Sequence, residues 1–179
     1  MTITAVFNKL FNLDEGCLFY RFNNADGKIW IMPAKNLRTA MELYQPSGWK
    51  GKWMKRGFPM LHKIRMVRSL IHTEKIRCRF DGKLKKLLEK VTDTEELDFS
   101  IFCGTPCVHQ KITIQLSKGH RILGYCKATD SCEIAALFEN EAQLLNVLHK
   151  KGIRSVPECL FCGDLGNGVS IFVQSTTKT

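Results

Sequence analysis

The sequence predicts an α+β fold. Three observations carry that expectation: short aromatic and β-branched runs bounded by turn residues, one long helical stripe from Ser131 to Gly152, and a composition that suits a packed core. At 179 residues, 44% hydrophobic and 25% charged, the chain holds about one domain with room for a small second module. Wholesale disorder and collagen-like architecture are excluded. No run reaches the roughly 18 apolar residues of a membrane span, and Met1 to Leu18 lacks a basic start followed by a long apolar stretch. The chain therefore reads as soluble, unexported and cytoplasmic, and its eight cysteines as reduced thiols.

Charge divides the chain. Residues 1–90 hold 19 Lys/Arg against 7 Asp/Glu, whereas residues 91–179 hold 8 against 10. An acidic partner for the first half is expected: nucleic acid, an anionic membrane surface, or another portion of the protein.

From the N-terminus, Cys17 to Phe22 and Lys28 to Pro33 read as two strands around the turn Asn23-Asn24-Ala25-Asp26-Gly27. After Pro33, the residues Leu37, Ala40, Met41 and Tyr44 recur at helical spacing until Pro46-Ser47-Gly48. From Trp49 to His72 the apolar set Trp53, Phe58, Leu61, Ile64, Val67 and Ile71 keeps steps of three to five, with Pro59 restarting the helix. Lys50, Lys52, Lys55, Arg56, Lys63, Arg65 and Arg68 fill the positions between and form a basic surface. Two readings are open: a helix packed on the body with its charged face in solvent, or a surface lying on anionic lipid or phosphate. Trp49 and Trp53 read as packing residues rather than base-stacking platforms. Thr73 to Phe80 suits a strand and Lys83 to Lys90 a short helix. Residues 1–92 form the basic N-terminal region, two strands and helices.

The charge changes sign at Asp93-Thr94-Glu95-Glu96. Residues 97–176 then read as three strands, a helix and two strands: an antiparallel five-stranded sheet with one main helix. Leu97 to Cys103 is closed by Gly104-Thr105-Pro106. Lys111 to Leu116 alternates with period two, Ser117 to His120 turns, and Arg121 to Lys127 runs back. Ser131 is an N-cap, and Lys150-Lys151-Gly152 ends the helix with cations and then glycine. Pro157 to Cys162 and Val169 to Gln174 flank the hairpin signal Gly163 to Gly168.

That order resembles the small lobe of a protein-kinase-like phosphotransferase. Lys127 ends the third strand and Glu141 lies in the following helix, where the fold places a phosphate-reaching lysine and the carboxylate that holds it. The helix segment Phe138 to Leu145, with Gly152-Ile153 and Val156-Pro157, resembles aminoglycoside-phosphotransferase-like bacterial kinases. Gly104-Thr105-Pro106, Lys111 and Gln115-Leu116 resemble a subgroup of them. In place of G-x-G-x-x-G the chain has Gly104 and then Thr105, Pro106, Cys107, Val108, His109 and Gln110, and Tyr125 stands where the kinase pattern has a small alanine.

The resemblance implies transfer of the ATP γ-phosphate, with Mg, to a small hydroxyl substrate such as a sugar or glycan precursor. Phosphates would lie beside Lys127, Gly104 and Thr105. Gln174 and Ser175 would begin the hinge, which residues 177–179 continue. The catalytic-loop aspartate, metal-holding asparagine and second aspartate of the family have no counterpart in these residues, so the chain alone is expected to be inactive, to bind nucleotide weakly, and to associate with itself through an exposed lobe face.

Alternatives of other classes are a nucleic-acid-binding module over Lys50 to Lys90, a membrane-peripheral accessory protein, and a pseudokinase-like scaffold. Cys159-Leu160-Phe161-Cys162 admits zinc binding with Cys103 and Cys107, but it falls in a strand pattern where buried small hydrophobes fit better. The five histidines lack metal spacing, and no metal site is expected.

Overall fold

Runs that the sequence distributes over two regions join in one antiparallel sheet in the computed structural model, which describes residues 3–24, 26–105, 107 and 110–177. Helix α1 (Ile3–Leu10) leads directly into β1 (Phe11–Asn23). Strand β1 pairs with β2 (Ile29–Pro33) on one side and β3 (Glu74–Phe80) on the other. Between β2 and β3 lie α2 (Leu37–Ala40) with its 3-10 extension, α3 (Trp49–Leu61) and α4 (Arg65–Leu70). Helix α5 (Gly82–Thr92) follows, its N-terminus capped where Asp81 accepts from the Lys83 N–H at 2.9 Å. The meander β4 (Asp98–Cys103), β5 (Ile112–Lys118) and β6 (Arg121–Thr129), helix α6 (Cys132–Lys150), and the hairpin β7 (Cys159–Asp164) and β8 (Ser170–Ser175) complete the chain.

The strand order is β3-β1-β2-β4-β5-β6-β8-β7, eight strands in all. The five-stranded sheet expected for residues 97–176 is therefore not a separate sheet: Ile29, Trp30 and Ile31 of β2 lie opposite Cys103, Phe102 and Ile101 of β4. The physical reason is the edge. Left open, β4 would present an unpaired backbone row beside the fully buried Ile101. The N-terminal region supplies three strands to this sheet, the third from the Thr73 to Phe80 run that suits a strand in the sequence.

Other expectations shift locally. Pro59 lies inside α3, and the helix breaks after it, between Leu61 and Arg65. Arg68 bridges that break, its guanidinium donating to the carbonyls of His62 at 2.6 Å and Lys63 at 2.7 Å. In β1, Leu13 and Cys17 both oppose Cys78, so residues 14–16 bulge outward; Gly16, at φ 85°, passes so close to β3 that a Cβ would meet the Cys78 carbonyl at 2.6 Å. Helix α6 starts and stops as read. The Ser131 hydroxyl accepts from the Ile134 N–H, and Gly152 (φ 81°) closes a Schellman end through Ile153 N–H to Leu148 O at 3.0 Å.

Alternation gives the sheet two apolar faces. One carries Ile31, Ile101, Ile114, Cys126, Ile171 and Val173 against α1 and α5. The other carries Trp30, Met32 and Phe102 under α2 and α3, and Phe172 under α6. The register Phe102↔Thr113↔Lys127↔Phe172 shows that these last two clusters share a face.

A core shared across residues 93–96 should unfold as one unit, so near-UV and far-UV circular dichroism should give coincident denaturation midpoints; separated midpoints would show independent halves. Phe99 has ring contacts with Phe80 at 3.9 Å and Phe19 at 4.8 Å. Phe99→Ala should cost about 3–5 kcal/mol and shift both signals together.

Candidate functional site

Strands β5 and β6 place a polar strip between the two apolar clusters of the α3/α6 face. Thr113 and Gln115 on β5 oppose Lys127 and Tyr125 on β6, and these in turn oppose Phe172 and Gln174 on β8. Alternation alone puts these side chains on one surface, since their neighbours Ile112, Ile114, Cys126 and Ala128 are buried on the other.

Lys127 and Glu141 meet. The ammonium Nζ donates to both carboxylate oxygens, at 2.7 and 2.8 Å, and sits 5.0 Å from the centroid of the Phe172 ring. Helix α6 fixes the acid: Phe138, Ala142 and Leu145 turn onto Phe172, and Glu141 stands on the flank of that stripe. The Lys127 side chain is 17% exposed and that of Glu141 37%, so the pair faces an opening rather than a sealed interior.

Gly104 and Thr105 lie in the loop after β4. Cys103 opposes Ile112, which opposes Ala128, so the turn stands at the Lys127 end of the sheet, two strands across. Gln110 Nε2 donates to the Gly104 carbonyl at 2.5 Å and holds the loop in. A Cβ on Gly104 would meet nothing within 4 Å, so no tight backbone cradle requires glycine there. Pro106, Val108 and His109 lie outside the described residues.

Gln174 is in β8, and its Oε1 is buried without a hydrogen-bond partner among the described residues. Ser175 ends the strand: its Oγ accepts from the Glu158 N–H at 2.8 Å and its N–H donates to the Glu158 carbonyl at 2.9 Å. Gly124 lets β6 approach here, because a Cβ would stand 2.2 Å from the Gln174 carbonyl.

Sequence reasoning missed Gln115. It is fully buried, its Nε2 donates to the Thr39 carbonyl at 2.9 Å, and its Oε1 has no partner among the described residues. The segment after β2 thus lies over the Gln115 end of the strip. Tyr125 is half-buried beside it, its phenol pKa raised by burial and then by the Glu42 charge, which keeps the hydroxyl a donor. The available signal was a polar residue repeated in register across central strands, Thr113 and Gln115 against Lys127 and Tyr125.

The basic surface separates into two groups. Lys50, Lys52, Arg56, Lys63 and Arg65 are exposed, whereas Lys55 bonds Glu42 at 2.9 Å and Arg68 is spent on helix carbonyls. Trp49 and Trp53, expected as packing residues, are 69% and 73% exposed. Clefts of about 740 and 590 Å³ open in this basic half, the larger beside Lys52, Lys55 and Arg56, and neither is lined by Lys127. Helix α6 also exposes Leu137, Leu144 and Val147.

Among the described residues no group of three or more His, Cys, Asp or Glu is placed to hold a metal ion, and no helix is long and apolar enough to cross a membrane. No family model, curated protein or solved structure matches the chain.

Burial pushes the thiols of Cys78, Cys103 and Cys126 up to about 12. These three should resist iodoacetamide at pH 8 until the chain unfolds, while the exposed Cys17, Cys107 and Cys132 react, as peptide mass spectrometry would read. Raised thiol values stabilise the fold below the ordinary value of 9.0 and lose that contribution as pH climbs toward about 12, so stability should fall across that alkaline window.

Proposed function

We propose that residues 97–176 form the nucleotide-phosphate half of a phosphotransferase cleft of the protein-kinase-like kind, acting on a small hydroxyl substrate. The bidentate Lys127–Glu141 pair carries this reading, because it presents a carboxylate-fixed ammonium on the strand and helix where such an enzyme positions its phosphate-binding lysine. Support also comes from the β4–β5–β6 meander, α6, and a hairpin whose second strand pairs with β6.

ATP fits this surface in part. Lys127 would meet the β- or γ-phosphate, with Glu141 keeping the side chain extended. The buried Gln174 Oε1 offers an acceptor for a donor group on the ligand. Tyr125 and the Thr39 segment fill the ground beyond, so the base has less room than the phosphates. Magnesium does not fit: Glu141 is committed to Lys127, and among the described residues no carboxylate cluster stands beside it. Metal ligands and a general base for the acceptor hydroxyl would come from a separate helical lobe, and no step of transfer is assigned to residues present here.

The test is ATP binding to the full chain by calorimetry and thermal shift. Lys127→Met and Glu141→Gln should each weaken ATP by about tenfold or more, while Lys111→Met, a change at an exposed lysine, leaves it unaltered. Adenosine should bind far less well than ATP. Equal affinity for wild type and a folded Lys127→Met variant would overturn the reading, as would an absence of ATP binding at millimolar concentration.

A further inference from the structure

The orientation of α3 leaves a large apolar stripe facing solvent. At 100° per residue, Trp49, Trp53 and Met60 fall within about 40° of one another, and Trp49 lies opposite Phe58. Phe58 is buried in the core, and Gly51, on that inner side, is packed so tightly that a Cβ would meet Pro46 at 2.4 Å and the Tyr44 hydroxyl at 2.9 Å. The inner face is thus pinned, and the outer stripe cannot turn inward. Trp49, Trp53 and Met60 are accordingly 69%, 73% and 81% exposed. Leu61, Ile64, Met66 and Leu70, at the end of α3, in the break and on α4, are exposed as well.

Charge on this surface has one sign. Residues 49–73 contain seven Lys/Arg and no Asp or Glu. On α3, Arg56 falls about 20° and Lys52 about 60° from Trp49, on the flank of the stripe. The Lys50 ammonium stands 5.8 Å from the Trp49 ring. Next to the stripe, the cleft of about 740 Å³ is lined by Arg38, Lys52, Lys55 and Arg56, with Met60 on its rim and Glu42 as its single carboxylate.

We propose that the α3–α4 face docks on an anionic lipid bilayer, with Trp49, Trp53 and Met60 entering the interfacial layer while Lys52, Arg56 and their cleft receive head-group phosphates. Tryptophan at the level of the head groups, cations beside it and an outward apolar stripe on a helix anchored by its inner face are what interfacial docking requires. The aliphatic and thioether members decide against nucleic acid. A base stacks on tryptophan but gains nothing comparable from Met60, Leu61, Ile64, Met66 or Leu70, whereas acyl chains accept all of them.

This inference is independent of the nucleotide reading, and its test separates the two. Full-length chain is sedimented with vesicles of phosphatidylcholine alone or containing about one-third phosphatidylglycerol, and tryptophan emission is recorded. Wild type should pellet with the anionic vesicles only, with a blue shift and protection from iodide carried by Trp49 and Trp53, since Trp30 is buried throughout. The double variant Trp49→Ser/Trp53→Ser and the triple variant Lys52→Glu/Arg56→Glu/Lys63→Glu should each lose about tenfold or more in binding, with circular dichroism unchanged. Lys127→Met should bind vesicles as wild type does. Failure of wild type to pellet with anionic vesicles, full binding by the folded double variant, or salt-sensitive binding to DNA or RNA without vesicle binding would each overturn the proposal.

Discussion

Helices cover both faces of one continuous sheet, and that constraint governs the rest of the molecule. Strands β5 and β6 lie near its middle, so each side chain they carry must enter one apolar layer or the other. Ile112, Ile114, Cys126 and Ala128 fill the first. On the second face α2 and α3 stop short of α6, and Thr113, Gln115, Tyr125 and Lys127 occupy the gap. An ammonium in such a place is costly unless its partner comes with it, and α6 brings Glu141, whose two carboxylate oxygens both accept from it. Packing and site are thus consequences of one register.

What could be read from the chain alone was what depends on near neighbours. The turn at Asn24 and Gly27, the hairpin at Gly166 and Gly168, the Ser131 cap and the Gly152 end each rest on residues a few positions apart, and each is found. Lys127 and Glu141 were legible because the strand and helix that carry them are both locally encoded. Pairing of β2 with β4 was not, since residues some seventy positions apart leave no periodic trace of their contact. Helix α1 escaped notice because Val6, Phe7 and Leu10 run without a break into Phe11 of the strand. The burial of Gln115 was not legible, because alternation marks two faces without saying that both are covered.

Helix α3 shows a different ambiguity. Steps of three to five residues accommodate a single stripe or two opposed ones, and Trp53, Phe58 and Leu61 satisfy the spacing while lying on different sides. The close packing of Gly51 against Pro46 and Tyr44, together with Phe58 in the core, fixes which side goes in. The charge asymmetry of the chain is similar: it reads as a division into two halves, yet both halves share one sheet and one core, and the excess cations are spread over α3 and α4 on one face, α5 on the other and the β3 edge.

The sheet also has two unequal margins. Strand β3 lines one, with Glu74 at its start and Lys75, Arg77 and the Glu15-paired Arg79 exposed along it, whereas the opposite margin, β7, has the acids Glu158 and Asp164 at its two ends and no cation between them. Like charges repel when two copies of the β3 border approach each other, and this discourages stacking of molecules into ribbons from that side. Polymer growth by β-strand addition, were it to begin, would have to start from the unguarded rim.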